Sequence, residues 1–196
     1  MTTSFRRTTI PLALAALGAL GLSGCNKPQA PAHTATAAVA VTSGPGGAWT
    51  NEPAATQNLV RFDTLDFDVY SNQKWDRLKE SHAPDIVVTW PDGHETKGLD
   101  QHIKDLSYQF TFAPDTKIKV HPVKIAAGEW TSVMGEMEGT FSQPMKTADG
   151  KTIAPTNRPF KIPMVTLGHW TKDGVMDHEW LIWDNDAFSK QIGLAK

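Results

Sequence analysis

The sequence is short of several things, and each shortage closes off a class of function. It has a single cysteine, Cys25, so it can build neither an intramolecular disulfide framework nor a zinc or iron–sulfur site that needs several thiolates. Charge of neither sign dominates: 19 Lys and Arg stand against 21 Asp and Glu, a formal net charge of −2. That balance leaves no electrostatic footprint for a polyanion, and no nucleic acid is expected as a partner. No Gly-rich phosphate loop and no G-x-S-x-G elbow occur, which argues against nucleotide hydrolysis and serine-based acyl transfer. The seven histidines are scattered, without H-E-x-x-H or comparable spacing. His169, His178 and a carboxylate would suit a three-ligand zinc site, but no metal and no cofactor is expected. The apolar run Ile10 to Leu22 has thirteen residues, too few for the roughly 20 of a membrane-spanning helix.

That run has another reading. Arg6 and Arg7 precede it, and it ends in Leu22-Ser23-Gly24-Cys25, which resembles a bacterial lipoprotein signal peptide. The resemblance implies that residues 1–24 are removed and that Cys25 becomes an acylated N-terminus. More than one acyl chain makes such an anchor stable. With Asn26 rather than Asp after the cysteine, the sorting pattern implies an outer-membrane lipoprotein facing the periplasm. Residues 25–56, rich in Pro, Ala, Thr and Gly, read as a flexible tether. The globular domain is then 57–196, long enough for one core.

Within the domain, Leu59, Phe62, Leu65, Phe67, Val69 and Tyr70 form a broad apolar stripe and predict a first helix starting near Gln57. Asn72 is placed to cap a second, short helix containing Trp75, Leu78 and Lys79, which Ala83-Pro84 stops. The β-branched and aromatic run Asp85 to Trp90, followed by Pro91-Asp92-Gly93, predicts a hairpin over 85–97. Leu99, Ile103, Leu106 and Phe110 predict a third helix that Pro114 closes. Strands are expected over 116–127, 129–141, 159–171 and 174–184, with a Pro/Gly loop at 142–158 of the length usual for lids and binding loops. The order is α+β, with helices on one face of an antiparallel meander.

The residues that identify a family come late in the chain. Gly174-Val175-Met176-Asp177-His178-Glu179-Trp180, Trp183-Asp184 and the closing Phe188-x-x-Gln191-Ile192-Gly193-Leu194, taken with the element order, resemble the SnoaL-like polyketide cyclase, or ester cyclase, group of the nuclear transport factor 2-like superfamily. Gly150 to Arg158 is similar to a G-x-x-I-x-P-T-x-R segment of that group, and Gly139-Thr140-Phe141 to its G-T-F/H strand. The resemblance implies a cone-like fold, three N-terminal helices packed on a strongly curved, mostly antiparallel sheet, around one apolar pocket. It also implies a pocket carboxylate acting as general acid/base on a small carbonyl-bearing molecule, without metal or organic cofactor. The chemistry asks for a base held in an apolar environment that raises its pKa toward the working pH, together with a donor for the developing enolate oxygen.

On the last strand, alternation puts His178, Trp180, Ile182 and Asp184 on one face and Asp177, Glu179, Leu181 and Trp183 on the other. A two-residue turn at Asp173-Gly174 would pair His169 with His178 and Leu167 with Trp180. The candidate catalytic residues are therefore Asp184, Glu179, His178 and His169, and the candidate pocket lining is Trp180, Trp90, Tyr70 and Leu167. A one-residue change of register exchanges the faces. Asp184 also has the position of a cap for a C-terminal helix starting near Ala187, and the histidine pair that of a solvated rim. His94 and His102 flank the hairpin-to-helix junction, and His94, like His82 and His121, reads as an exposed turn residue rather than a ligand. The many tryptophans suit core packing, and equally the walls of a site for an apolar or aromatic ligand. A non-catalytic, periplasmic ligand-binding lipoprotein of the same fold is the alternative function, and the sheet offers a surface for a homodimer.

Overall fold

A computed structural model describes residues 53–195 of the chain. The signal peptide, Cys25 and nearly all of the expected tether lie outside the described residues. The first helix, α1 (Pro53–Thr64), starts at a proline, whose missing N–H is no loss in a first turn. It runs on into a wider π-turn over Leu65–Tyr70. Ala55, Asn58, Phe62, Leu65 and Val69, three or four apart, make one buried stripe through both. The π-turn is closed by five-residue bonds from Ser71 N–H to the Asp66 carbonyl and from Lys74 N–H to that of Val69. It buries Asp66 on the same side as Leu65, Val69 and Tyr70. The second helix is a 3-10 turn, Trp75–Glu80, and Asn72 does not cap it. Its amide instead donates to the Asp68 carbonyl behind it.

Strand β1 (His82–Thr89) begins three residues before the expected hairpin and carries an irregularity between His82 and Val87, where Pro84 interrupts the ladder. The short β2 (Glu95–Lys97) pairs with its end. Gly98, at φ 93°, then turns the chain into α2 (Leu99–Phe112). The strand expected over 116–127 is broken at His121-Pro122 into β3 (Lys117–Ile118) and β4 (Val123–Ala127), because proline cannot donate to the ladder. The long strands are β5 (Trp130–Thr140) and β8 (Pro159–Trp170), each paired with the other along its length. Between them the 142–158 loop folds into a small ribbon, β6 (Met145–Lys146) against β7 (Thr152–Ile153). The chain closes with β9 (Met176–Trp183) and α3 (Asn185–Gln191).

The strands form one curved sheet in the order β2-β1-β9-β8-β5-β3, with β4 also on β5. Only the β1–β9 pairing among these is parallel. The helices cover the inner face, and two apolar clusters fill the space. One is built around Phe62, Leu78, Ile86 and Trp170 and the other around Phe110, Phe141, Phe160 and Ile162. Leu106, Met164 and Trp183 pack against both, and the functional cavity lies at this junction.

The register of β8 and β9 pairs His169 with His178 and Leu167 with Trp180, as expected. It reaches that pairing by two deviations that cancel. The turn between Thr171 and Val175 holds three residues rather than two, closed by Gly174 at φ 76°. A bulge at Asp177 then adds one residue to β9 and restores the phase. The bulge also turns Asp177 from the face of Glu179 to that of His169, whose Nδ1 lies 2.6 Å from its carboxylate.

Candidate active site

A cavity of about 290 Å³ opens between the two core clusters. Its walls are largely apolar, formed among others by Leu65, Phe112, Ile118, Met137, Met164 and Leu181, with Tyr70 and Trp90 where the sequence placed them. Met145 of the β6 ribbon contributes to the wall, and the Tyr108 hydroxyl donates to the Lys146 carbonyl at 2.5 Å, fastening that ribbon to α2. In this apolar setting the polar lining stands out. It consists chiefly of Asp66, His82, His102, Asp105 and Glu179.

Glu179 is the expected candidate that the fold delivers inward. With Leu181 and Trp183 it occupies the inner face of β9, and it is buried. His82 from the start of β1 and His102 from the first turn of α2 flank it, both buried, with Nε2 atoms 3.8 and 3.3 Å from Glu179 Oε2. Burial pushes the Glu179 carboxyl up, as expected of a base in an apolar site, but the imidazoles of His102 and His82 outweigh it and, against that expectation, hold the group well below the usual carboxylate range. His82 Nε2, His102 Nδ1 and Glu179 Oε2 are buried and find no hydrogen-bond partner among the described residues. The three side chains offer ligand atoms within 4.8 Å of one another, a spacing at which they could hold a metal ion.

A second carboxyl has the opposite disposition. Asp66 is buried on the π-turn, and its Oδ2 lies 2.8 Å from His121 Nε2. The other nitrogen, Nδ1, lies 2.8 Å from Asp63, which also pairs with Lys124 at 2.6 Å. Burial raises the Asp66 carboxyl above its ordinary value, more than His121 lowers it. His121 is itself lowered by burial, yet raised further by Asp66 and Asp63. A neutral imidazole has one N–H. The chain Asp63–His121–Asp66 therefore holds its two contacts either as an imidazolium between carboxylates or with Asp66 protonated and donating to Nε2.

The remaining candidates lie elsewhere. His169, His178, Trp180 and Leu167 are on the opposite, outer face of the sheet, not in the cavity. His178 stacks on Trp180 with centroids 3.6 Å apart and contacts Thr89 Oγ1 at 3.1 Å, while His169 is held by Asp177. Asp184 is exposed and caps α3, accepting from the N–H groups of Asp186 and Ala187. Sequence reasoning missed His82, His102, His121 and Asp66. For His102 a signal existed: three residues after Leu99 and four before Leu106, it lies on the apolar stripe of α2. For His82 and His121 no local pattern marks burial, which follows from the strand irregularity and from the break at Pro122.

The sequence profile of the SnoaL-like polyketide cyclase family matches residues 62–192. The chain belongs to the SnoaL-like polyketide cyclase family. Solved structures share the fold of this SnoaL-like domain at low sequence identity. A protein from Jannaschia sp. CCS1, described as a candidate SnoaL-like polyketide cyclase, is 19% identical with a TM-score of 0.64, covering 75% of this chain and 99% of its own. IdmH from Streptomyces antibioticus, described as a candidate polyketide cyclase, is 21% identical with a TM-score of 0.59, covering 70% and 99%. A protein of ketosteroid isomerase-like fold from Catenulispora acidiphila DSM 44928, solved in complex with trimethylamine, is 14% identical with a TM-score of 0.55, covering 70% and 93%. A comparison with curated protein sequences returns no match. Family and fold together support a cyclase- or isomerase-like function for the SnoaL-like domain.

Proposed function

We propose that the cavity binds a small apolar, carbonyl-bearing molecule and catalyses its cyclisation or isomerisation by proton transfer without a cofactor. The observation that carries this reading is the pair of buried carboxyls lining one apolar cavity, the proton affinity of Glu179 lowered by two imidazoles and that of Asp66 raised by burial. Pairs set apart in this way divide naturally into base and acid. Glu179 takes the proton alpha to the carbonyl, and the Asp66 O–H donates to the carbonyl oxygen as it gains enolate charge. The enolate carbon then closes on a second carbonyl of the same molecule, whose oxygen takes the proton from Glu179, or is reprotonated by Glu179 at another carbon. Either way Glu179 is again a carboxylate, and Asp66, held by His121 and through it by Asp63, keeps its proton.

The site is further proposed to work on an outer-membrane lipoprotein facing the periplasm, anchored through Cys25, a reading that rests on Leu22-Ser23-Gly24-Cys25 and Asn26. A homodimer through the outer face of the sheet is proposed from the apolar residues exposed there.

The test is to incubate the purified protein with extract of the source cells and follow small molecules by chromatography and mass spectrometry. A product of unchanged mass and altered retention is expected with wild type. Its rate should fall by about 100-fold or more with Glu179→Gln and with Asp66→Asn, the range general acid/base groups contribute. A compound retained by wild type and both variants with no product would replace the catalytic reading with a ligand-binding one.

A further inference from the structure

The state of His82 raises a question that proton transfer does not answer. The Ser81 hydroxyl donates to the Leu78 carbonyl at 3.2 Å, so its oxygen is left to accept the His82 Nδ1–H at 2.9 Å. Nδ1 is also within 3.2 Å of the same carbonyl, which can only accept. The proton of a neutral His82 is thereby fixed on Nδ1, and Nε2 presents a lone pair to the cavity. It faces Glu179 Oε2 at 3.8 Å, too far for a hydrogen bond, with no other partner among the described residues. In that state two lone pairs confront one another in a buried apolar site, and either a proton on Nε2 or a cation bound between the two atoms relieves them.

We propose that His82, His102 and Glu179 form a transition-metal site, of the zinc type, at the polar end of the cavity. In a tetrahedral site with metal–ligand bonds near 2.0–2.1 Å, neighbouring ligand atoms stand about 3.3–3.4 Å apart. Glu179 Oε2 stands at that separation, 3.3 Å, from His102 Nε2 and beyond it, at 3.8 Å, from His82 Nε2, and the three side chains offer donor atoms within 4.8 Å of one another. The donor set, two imidazoles and one carboxylate with the remaining position open toward the cavity, is the chemistry of a three-ligand open site. The Leu78 carbonyl and Ser81 hydroxyl behind His82 supply the outer hydrogen bonds that orient a ligating imidazole. A cation there engages the oxygen that Glu179 uses as a base, so the metal-bound and proton-transferring forms exclude one another. The inference stands on the ligand geometry and is independent of the cyclase reading.

The purified protein, stripped with a chelator that is then removed, is titrated with Co²⁺ alone and with Zn²⁺ against a chromophoric chelator. One equivalent of each is expected to bind, with Co²⁺ giving the visible bands of a low-symmetry nitrogen- and oxygen-coordinated ion. Glu179→Gln, His82→Ala and His102→Ala should each weaken binding by more than about 100-fold, and Ser81→Ala by about 10- to 100-fold. The double variant His169→Ala/His178→Ala, altered on the outer face, should bind as wild type does. Circular dichroism establishes that each variant is folded. Absence of stoichiometric binding by wild type overturns the proposal, as does binding that survives the loss of folded His82 or His102 variants and disappears with the outer pair.

Discussion

His121, with almost no exposed side-chain surface and a carboxylate on each ring nitrogen, governs how stability responds to pH. Its proton affinity in the fold lies above that of a free imidazole, because Asp66 and Asp63 raise it beyond what burial removes. The folded chain therefore binds this proton more tightly than the unfolded chain, and the contribution is full below about pH 6.5 and lost as pH rises through the folded value. Asp66 acts in the same direction, since burial raises its carboxyl: its contribution is full below about pH 3.9 and lost as pH climbs through its folded value. Asp63 opposes them: burial raises its carboxyl, but Lys124 and His121 outweigh that and hold it below its ordinary value, so its contribution is lost on acidification. The expected outcome is a melting temperature that declines as pH is raised from about 6.5 into the alkaline range. His121→Gln should flatten that decline, and thermal melts of both proteins across the series check it. An unchanged slope in the variant would remove His121 from the account.

At the scale of elements, α3 depends on its first turn. Asp184 accepts from the N–H groups of Asp186 and Ala187 at 2.9 and 3.0 Å, satisfying two donors that a helix N-terminus otherwise leaves open. Asp184→Ala should cost about 1 kcal/mol of stability, the usual value of such a cap. Denaturant melts measure that loss, while product formation by the folded variant should be unaffected; a loss of turnover at full stability would return Asp184 to the chemistry. The same element shows what could be read in advance. The cap and the catalytic role were both visible as readings of Asp184, and only the position of α3 decides between them. The β8–β9 pairing agrees with the sequence reading only because two features it did not contain, a three-residue turn and a bulge at Asp177, cancel in the register. Glu179 was legible as an acid alternating with Leu181 and Trp183, although both faces of the strand mixed acid with aromatic residues. Its partners were not, because His82 and His102 come from β1 and α2, and three segments far apart in sequence meet only through the parallel β1–β9 pairing and the seating of α2. Asp66 was hidden for a related reason: a π-turn in place of α-helix changes which residue faces inward, and nothing in the spacing of the apolar residues announces it.

For the whole molecule, the outer face of the sheet sets the next question. Paired residues share a face, so the ladder carries apolar rows across four strands: Val123, Met134, Val165 and Ile182 in one, Ile125, Leu167 and Trp180 with Ser132 in the next. Ile125 is 60% and Ile182 55% exposed, and Val123 and Trp130 are nearly as open. A contiguous apolar surface of this kind marks an association site rather than ordinary scatter, and a two-fold dimer would set each row against its counterpart. Replacing Ile125 and Ile182 together by glutamate adds nothing buried to the monomer, since both side chains are already in solvent. In the proposed dimer it places carboxylates from both copies in one apolar interface, where desolvation and like charge act together. Sedimentation equilibrium should find wild type as a dimer and the double variant as a monomer with an unaltered circular dichroism spectrum. A wild-type monomer over the same concentration range would sink the dimer, and a variant that stays dimeric would move the interface off this face.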